Sequence, residues 1–60
     1  MKTVLIDYAM ISPAVLSAIV EKAYPTAFCG WSDINEDFFE FRVYGCPDLD
    51  MLEDLLAEYV

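Results

Sequence analysis

The side chains with acid–base or ligand chemistry in this chain are almost all carboxylates. Eleven Asp and Glu stand against three Lys and Arg, with no histidine, for a formal net charge of −8 over 60 residues. Carboxylates can hold a hard cation or move a proton, and their spacing decides what they are suited to. Asp33-Ile34-Asn35-Glu36-Asp37 opens like a calcium loop, with oxygen donors at alternate positions. The pattern then breaks: the position that needs glycine is Phe38, and the one that needs a bidentate Glu is Tyr44. A polar turn is expected there, and no metal. Cys29 and Cys46 lie 17 residues apart with no histidine to join them, which does not make a zinc site. Neither thiol has a base to activate it, and anionic surroundings disfavour the thiolate. Paired carboxylates suit general acid–base work, but a chain this short leaves little room for an enclosed substrate pocket. Gly30 and Gly45 belong to no phosphate-binding loop. Neither an enzyme nor a cofactor is expected.

The distribution of charge is more informative than its total. Up to Ser32, Asp7 and Glu21 balance Lys2 and Lys22; from Asp33 on, nine carboxylates face Arg42 alone. In the last segment Asp50, Asp54 and Glu58 recur at i, i+4, i+8, one ridge of a helix with about 6 Å between neighbours. With Asp48 and Glu53 the density is roughly one carboxylate per 3 to 4 Å of axis, close to the phosphate spacing of a DNA strand, about 3.4 Å. The expected binding surface is Asp33, Glu36, Asp37, Glu40, Asp50, Glu53, Asp54 and Glu58, and the expected partner is the basic groove of a nucleic-acid-binding protein or complex. Nucleic acid itself is excluded as a partner, since Lys2, Lys22 and Arg42 cannot neutralise a run of phosphates. Acidity near a helix N-terminus also favours the macrodipole, and acidity in general favours solubility. Glu58, however, sits at the wrong end of the dipole, and each like-charge i, i+4 pair costs roughly 0.2–0.5 kcal/mol.

The elements that carry these residues follow from periodicity. Thr3–Tyr8 is β-branched and aromatic and reads as a strand. Ser12-Pro13 starts a helix, with Ser as cap and Pro at the first helical position. Val15, Leu16, Ile19, Val20 and Ala23 then recur at helical spacing until Pro25. Thr26–Ser32 and Phe38–Tyr44 are two more strands joined by the polar turn. Cys46-Pro47-Asp48 opens a last helix, capped by Asp48 or Asp50, with an apolar stripe of Leu49, Leu52, Leu55, Leu56, Tyr59 and Val60. If the last two strands pair, Cys29 faces position 42 or 43 and Cys46 lies roughly 10 Å further along, too far for a bridge.

The fold class expected is α+β: one compact domain over residues 1–60, with order β-α-β-β-α. A three-stranded antiparallel sheet carries both helices on one face. The third strand, with Phe39, Phe41 and Val43, is the most apolar and is placed in the centre, giving order 1-3-2, like a ferredoxin-like fold lacking its last strand. Phe39, Phe41, Phe28 and Tyr24 are assigned to the core, while Trp31, Tyr44 and Tyr8 are candidate interface anchors. Met1-Lys2-Thr3 and the apolar residues after it do not make a signal peptide, because Asp7 and Pro13 interrupt them. The longest uncharged run, Tyr8 to Val20, is too short for a membrane span. A cytoplasmic protein that does not meet the membrane is expected, with monomer and homodimer both open.

This profile resembles the small acidic inhibitor proteins encoded by phages, the DNA-mimicking anti-CRISPR proteins among them. The resemblance implies a non-catalytic inhibitor that occupies a partner's polynucleotide groove in the host-cell cytoplasm. A second reading is an oligomerisation or adaptor module that uses the open sheet face around Phe38, Arg42 and Tyr44.

Overall fold

The computed structural model describes all residues, Met1–Val60. Five elements follow in the expected order: β1 (Lys2–Asp7), α1 (Pro13–Ala23), β2 (Phe28–Asp33), β3 (Phe38–Tyr44) and α2 (Leu49–Leu56). The strands form one antiparallel sheet in the order β1-β3-β2. Side chains alternate across a strand, and the register therefore decides both faces. Val4 pairs with Phe41, Ile6 with Phe39, and Cys29 with Val43. These side chains point to one face and meet Leu16 and Val20 of α1 and Leu52 and Leu56 of α2 in a single core. Both helices therefore cover the same face of the sheet.

Phe39, Phe41, Ile6, Leu16, Leu52, Leu56, Val20 and Val43 are fully buried. Each contributes about 1.5–3 kcal/mol by leaving water. A domain of this size has a net stability on the order of 3–9 kcal/mol, so losing one such residue removes a large part of it.

The caps fix where the helices begin. Ser12 accepts the Val15 N–H at 3.3 Å, with Pro13 occupying the first helical position. For α2 the cap is Asp48, whose carboxylate accepts the Met51 N–H at 3.1 Å, while Asp50 lies in the first turn. Between β3 and α2 the chain turns at Gly45, with φ +71°. A Cβ there would stand 2.9 Å from the Thr26 carbonyl oxygen, and the Thr26 hydroxyl donates to the Gly45 carbonyl at 3.1 Å.

Several boundaries differ from those expected. The strand expected from Thr26 begins at Phe28, because the Ala27 N–H closes a turn onto the Tyr24 carbonyl and Thr26 is tied to Gly45. β1 ends at Asp7, whose carboxylate and carbonyl accept the Ala9 and Met10 N–H groups and turn the chain. The apolar stripe expected to run to Val60 outlasts its helix. Ala57 still donates to the Glu53 carbonyl, but Tyr59 donates to Leu56 in a tighter turn. Val15, Leu49 and Val60 are exposed. Phe28, assigned to the core, is also exposed and lies on the sheet's open face. Trp31 pairs with Phe41 and therefore points to the helix side of the edge strand, where it is 41% exposed.

Candidate functional site

The eight expected site residues fall into three groups. Asp33 ends β2, where its carboxylate accepts the Tyr8 hydroxyl. Glu36 and Asp37 are exposed at the hairpin tip. The turn there is held by Asn35, whose side-chain oxygen accepts the N–H groups of Asp37 at 2.8 Å and Phe38 at 3.0 Å. That oxygen thereby holds the turn in the manner of an Asx-turn.

On α2 and just after it, Asp50, Glu53, Asp54 and Glu58 are all exposed. Asp50 and Asp54 share the outward ridge, and Glu58 follows in the turn after the helix. No Lys or Arg occurs from Gly45 to the C-terminus. Their one ion pair is with Lys2, whose ammonium lies 3.7 Å from the Glu53 carboxylate. Glu40 is separate from both groups. It projects from the open face of the sheet, half-buried, 3.5 Å from the Arg42 guanidinium. β3 spans about 20 Å at strand rise, so the hairpin acids and the start of α2 stand at opposite ends of the sheet. The structure thus unites the α2 residues, sets Asp33, Glu36 and Asp37 at the other end of the sheet from the start of α2, and puts Glu40 on the reverse face.

This charge acts on its neighbours. Burial, then the negative charges of Cys46, Asp48 and Asp54, hold the Tyr24 phenol above its ordinary value. The Cys29 thiol is likewise pushed up, chiefly by burial and further by Glu21 and Cys46, against a lowering contact from Ser17. Ser17 in turn donates to Glu21 at 2.5 Å. Both cysteines are free thiols, and the register sets Cys29 opposite Val43.

The open face is the second candidate surface. It carries Thr3, Leu5 and Asp7 on β1, Phe38, Glu40, Arg42 and Tyr44 on β3, and Phe28, Gly30 and Ser32 on β2. Neither helix covers it. The Phe28 and Tyr44 rings stack with centroids 5.4 Å apart, and Phe28 and Leu5 are more than half exposed. Gly30 sits opposite Arg42, and the Arg42 guanidinium lies 3.6 Å from where a Cβ on Gly30 would be. Without a side chain at that position, the guanidinium lies across the sheet. Sequence reasoning found Phe38, Arg42 and Tyr44 by alternation along β3, but missed Phe28 and Gly30. Their role depends on the register between β2 and β3.

The remaining concavity is a recess of about 180 Å³ between β1 and α2, lined by Lys2, Val4, Glu53, Leu56, Ala57 and Val60. Ligand pockets are usually about 300–1,000 Å³. No helix is long and apolar enough to cross a membrane. The chain matches no family model, no curated protein and no solved structure.

Proposed function

We propose that the protein is a non-catalytic inhibitor whose α2 carboxylates dock in the cationic groove of a nucleic-acid-binding protein and exclude the polynucleotide. The observation that carries this reading is the exposed, cation-poor surface of α2, where Asp50, Glu53 and Asp54, followed by Glu58, make a single ion pair, that of Glu53 with Lys2. A like-charged ridge is a standing cost to a small domain, and a cationic partner relieves it. Long-range attraction speeds encounter, and the exposed Leu49 and Met51 beside the acids supply apolar contact. The hairpin acids extend the attracting field from the far end of the sheet. The profile fits an anti-defence protein of phage type, of which anti-CRISPR proteins are one group, acting in the host cytoplasm.

The test uses the immobilised protein to capture proteins from a bacterial lysate, with heparin as competitor. Partners released by heparin and lost with Asp50→Lys/Asp54→Lys/Glu58→Lys support the reading. Capture that ignores both heparin and the triple reversal overturns it.

A protein-binding role for the open sheet face stands beside this one. It is favoured by the exposed Phe28 ring stacked on a half-buried Tyr44 next to Arg42, a composition typical of interface centres.

A further inference from the structure

The open face has an internal symmetry of chemistry. Along β3 its outward residues read Phe38, Glu40, Arg42, Tyr44: aromatic, acid, base, aromatic. Read backwards, the series exchanges the signs of its two charges and keeps an aromatic at each end. A surface with that property is complementary to itself. A two-fold axis lying in the plane of the face, across the strands at the level of Phe41, superposes each strand on its own copy in the opposite direction. Glu40 then meets Arg42 of the second copy, Arg42 meets its Glu40, and Phe38 meets its Tyr44. On the flanking strands the same axis brings Leu5 over Thr3 and Ser32 over Gly30, since these residues sit level with Glu40 and Arg42. This is the isologous arrangement of a two-fold dimer, in which residue i contacts j and j contacts i. Both sheets would keep the aligned packing of a β-sandwich, about 10 Å apart.

The geometry points to a second copy of this chain as the occupant of the open sheet face, held by two reciprocal Glu40–Arg42 pairs between aromatic ends. The inference rests on the sheet-face reading and is independent of the acidic one. Glu40 and Arg42 are already 3.5 Å apart within one copy, and both are partly buried. The dimer therefore closes a ring of four alternating charges, each beside an opposite one. The guanidinium lies low over Gly30, so the two sheets can approach without a protruding side chain at the centre. The face measures about 14 by 20 Å from strand spacing and rise. That is small beside the roughly 800 Å² per partner of a standard interface, so the dimer dissociates on dilution.

The experiment measures the mass of the full chain by sedimentation or light scattering, from about 1 μM to 1 mM, a range suited to a small interface. Wild type should move from its 6.8 kDa chain mass towards twice that value. Glu40→Arg and Arg42→Glu, each alone, put like charges face to face and should raise the dissociation constant about tenfold or more. The two single variants mixed in equal amounts should form a heterodimer, because one copy then presents two positive and the other two negative charges. The double exchange Glu40→Arg/Arg42→Glu should dimerise as wild type does. Circular dichroism of each variant separates loss of fold from loss of pairing, and the mixed pair needs only the two single variants to be folded. A wild type that stays monomeric throughout overturns the inference, as does a mixture that fails to pair. If the chain is monomeric yet Tyr44→Ala loses a different captured protein, the second copy is the wrong occupant while the sheet-face reading survives. If Tyr44→Ala also leaves all capture unchanged, both fall.

Discussion

Replacing Asp54 by lysine should make the protein more stable. Asp54 is exposed on α2, makes no hydrogen bond or ion pair, and has Asp50 one turn before it. The substitution therefore breaks no contact. It turns one like-charge i, i+4 pair into an attractive one, with the acid on the N-terminal side; losing the repulsion and gaining the attraction are each worth about 0.2–0.5 kcal/mol. It also puts a cation in the last turn of a helix that has none, worth about 0.3–1 kcal/mol. Glu58 lies beyond the helix and is left out of the sum. The total is about 1 kcal/mol, which for a domain of this size raises the melting temperature by about 4–8 °C. Thermal melts at low ionic strength measure it, and in 1 M salt, where the screening length is about 3 Å, most of the gain should vanish. The Tyr24 phenol, held up in part by Asp54, should titrate lower in the same variant, read by ultraviolet absorbance. An unchanged or lower melting temperature at low salt would show that the surroundings already compensate Asp54. The cost on which the proposed role of α2 rests would then not exist.

Other substitutions separate roles that look alike in the sequence. Asp48→Ala removes the α2 cap and should cost about 1 kcal/mol in urea denaturation, while Asp50→Ala, two residues on, should stay within about 0.5 kcal/mol; equal effects would contradict the observed cap. Phe41→Ala should cost about 3–5 kcal/mol and unfold much of the population at 37 °C. Phe28→Ala should lose only about 0.5–1.5 kcal/mol for its stack on Tyr44, and near-unfolding by Phe28→Ala would place that ring in the core after all. Cys29 and Tyr24 both have raised folded values, so each ionises more readily in the unfolded chain. Their contribution is fully present below the unfolded thiol value of about 8.5 and is lost as pH rises through the folded values. Stability measured at pH 7, 9 and 10 should therefore fall, and Cys29→Ala should flatten the first part of the decline; a level profile contradicts this.

The topology was legible because both periods were clean. Alternation in Phe38–Tyr44 marked the central strand, and Ser12-Pro13 marked the start of α1 as the structure has it. The ends were harder. Leu55, Leu56, Tyr59 and Val60 continue an apolar stripe, and sequence spacing does not show that the backbone tightens after Leu56. Strand register was the larger gap. The hairpin left Cys29 facing 42 or 43, a choice of one residue that sends every side chain of β2 to the other face. The observed register puts Phe28 in the open beside Tyr44, and Trp31 on the helix side. The acidic surface was legible in number but not in arrangement. Glu40 looked like part of one polyanionic half, yet strand alternation carries it to the face opposite α2.

A net charge of −8 ordinarily opposes self-association, and the position of that charge decides how strongly. In the face-to-face dimer the two sheets lie about 10 Å apart with the helices outermost. One helix thickness on each side, about 10 Å, separates the two sets of α2 carboxylates by about 30 Å. At 10 mM salt the screening length is about 30 Å and the two sets repel across the sandwich; at 150 mM it is about 8 Å and they do not. The Glu40–Arg42 ring is enclosed by the two sheets and is screened much less. Dimerisation should therefore strengthen as salt rises from 10 to 150 mM. Binding of a cationic groove by α2, which rests on exposed charges, should weaken over the same range. A dimer that weakens in parallel with partner capture would mean that both contacts use the same exposed charges, and the separation of the two surfaces would be wrong.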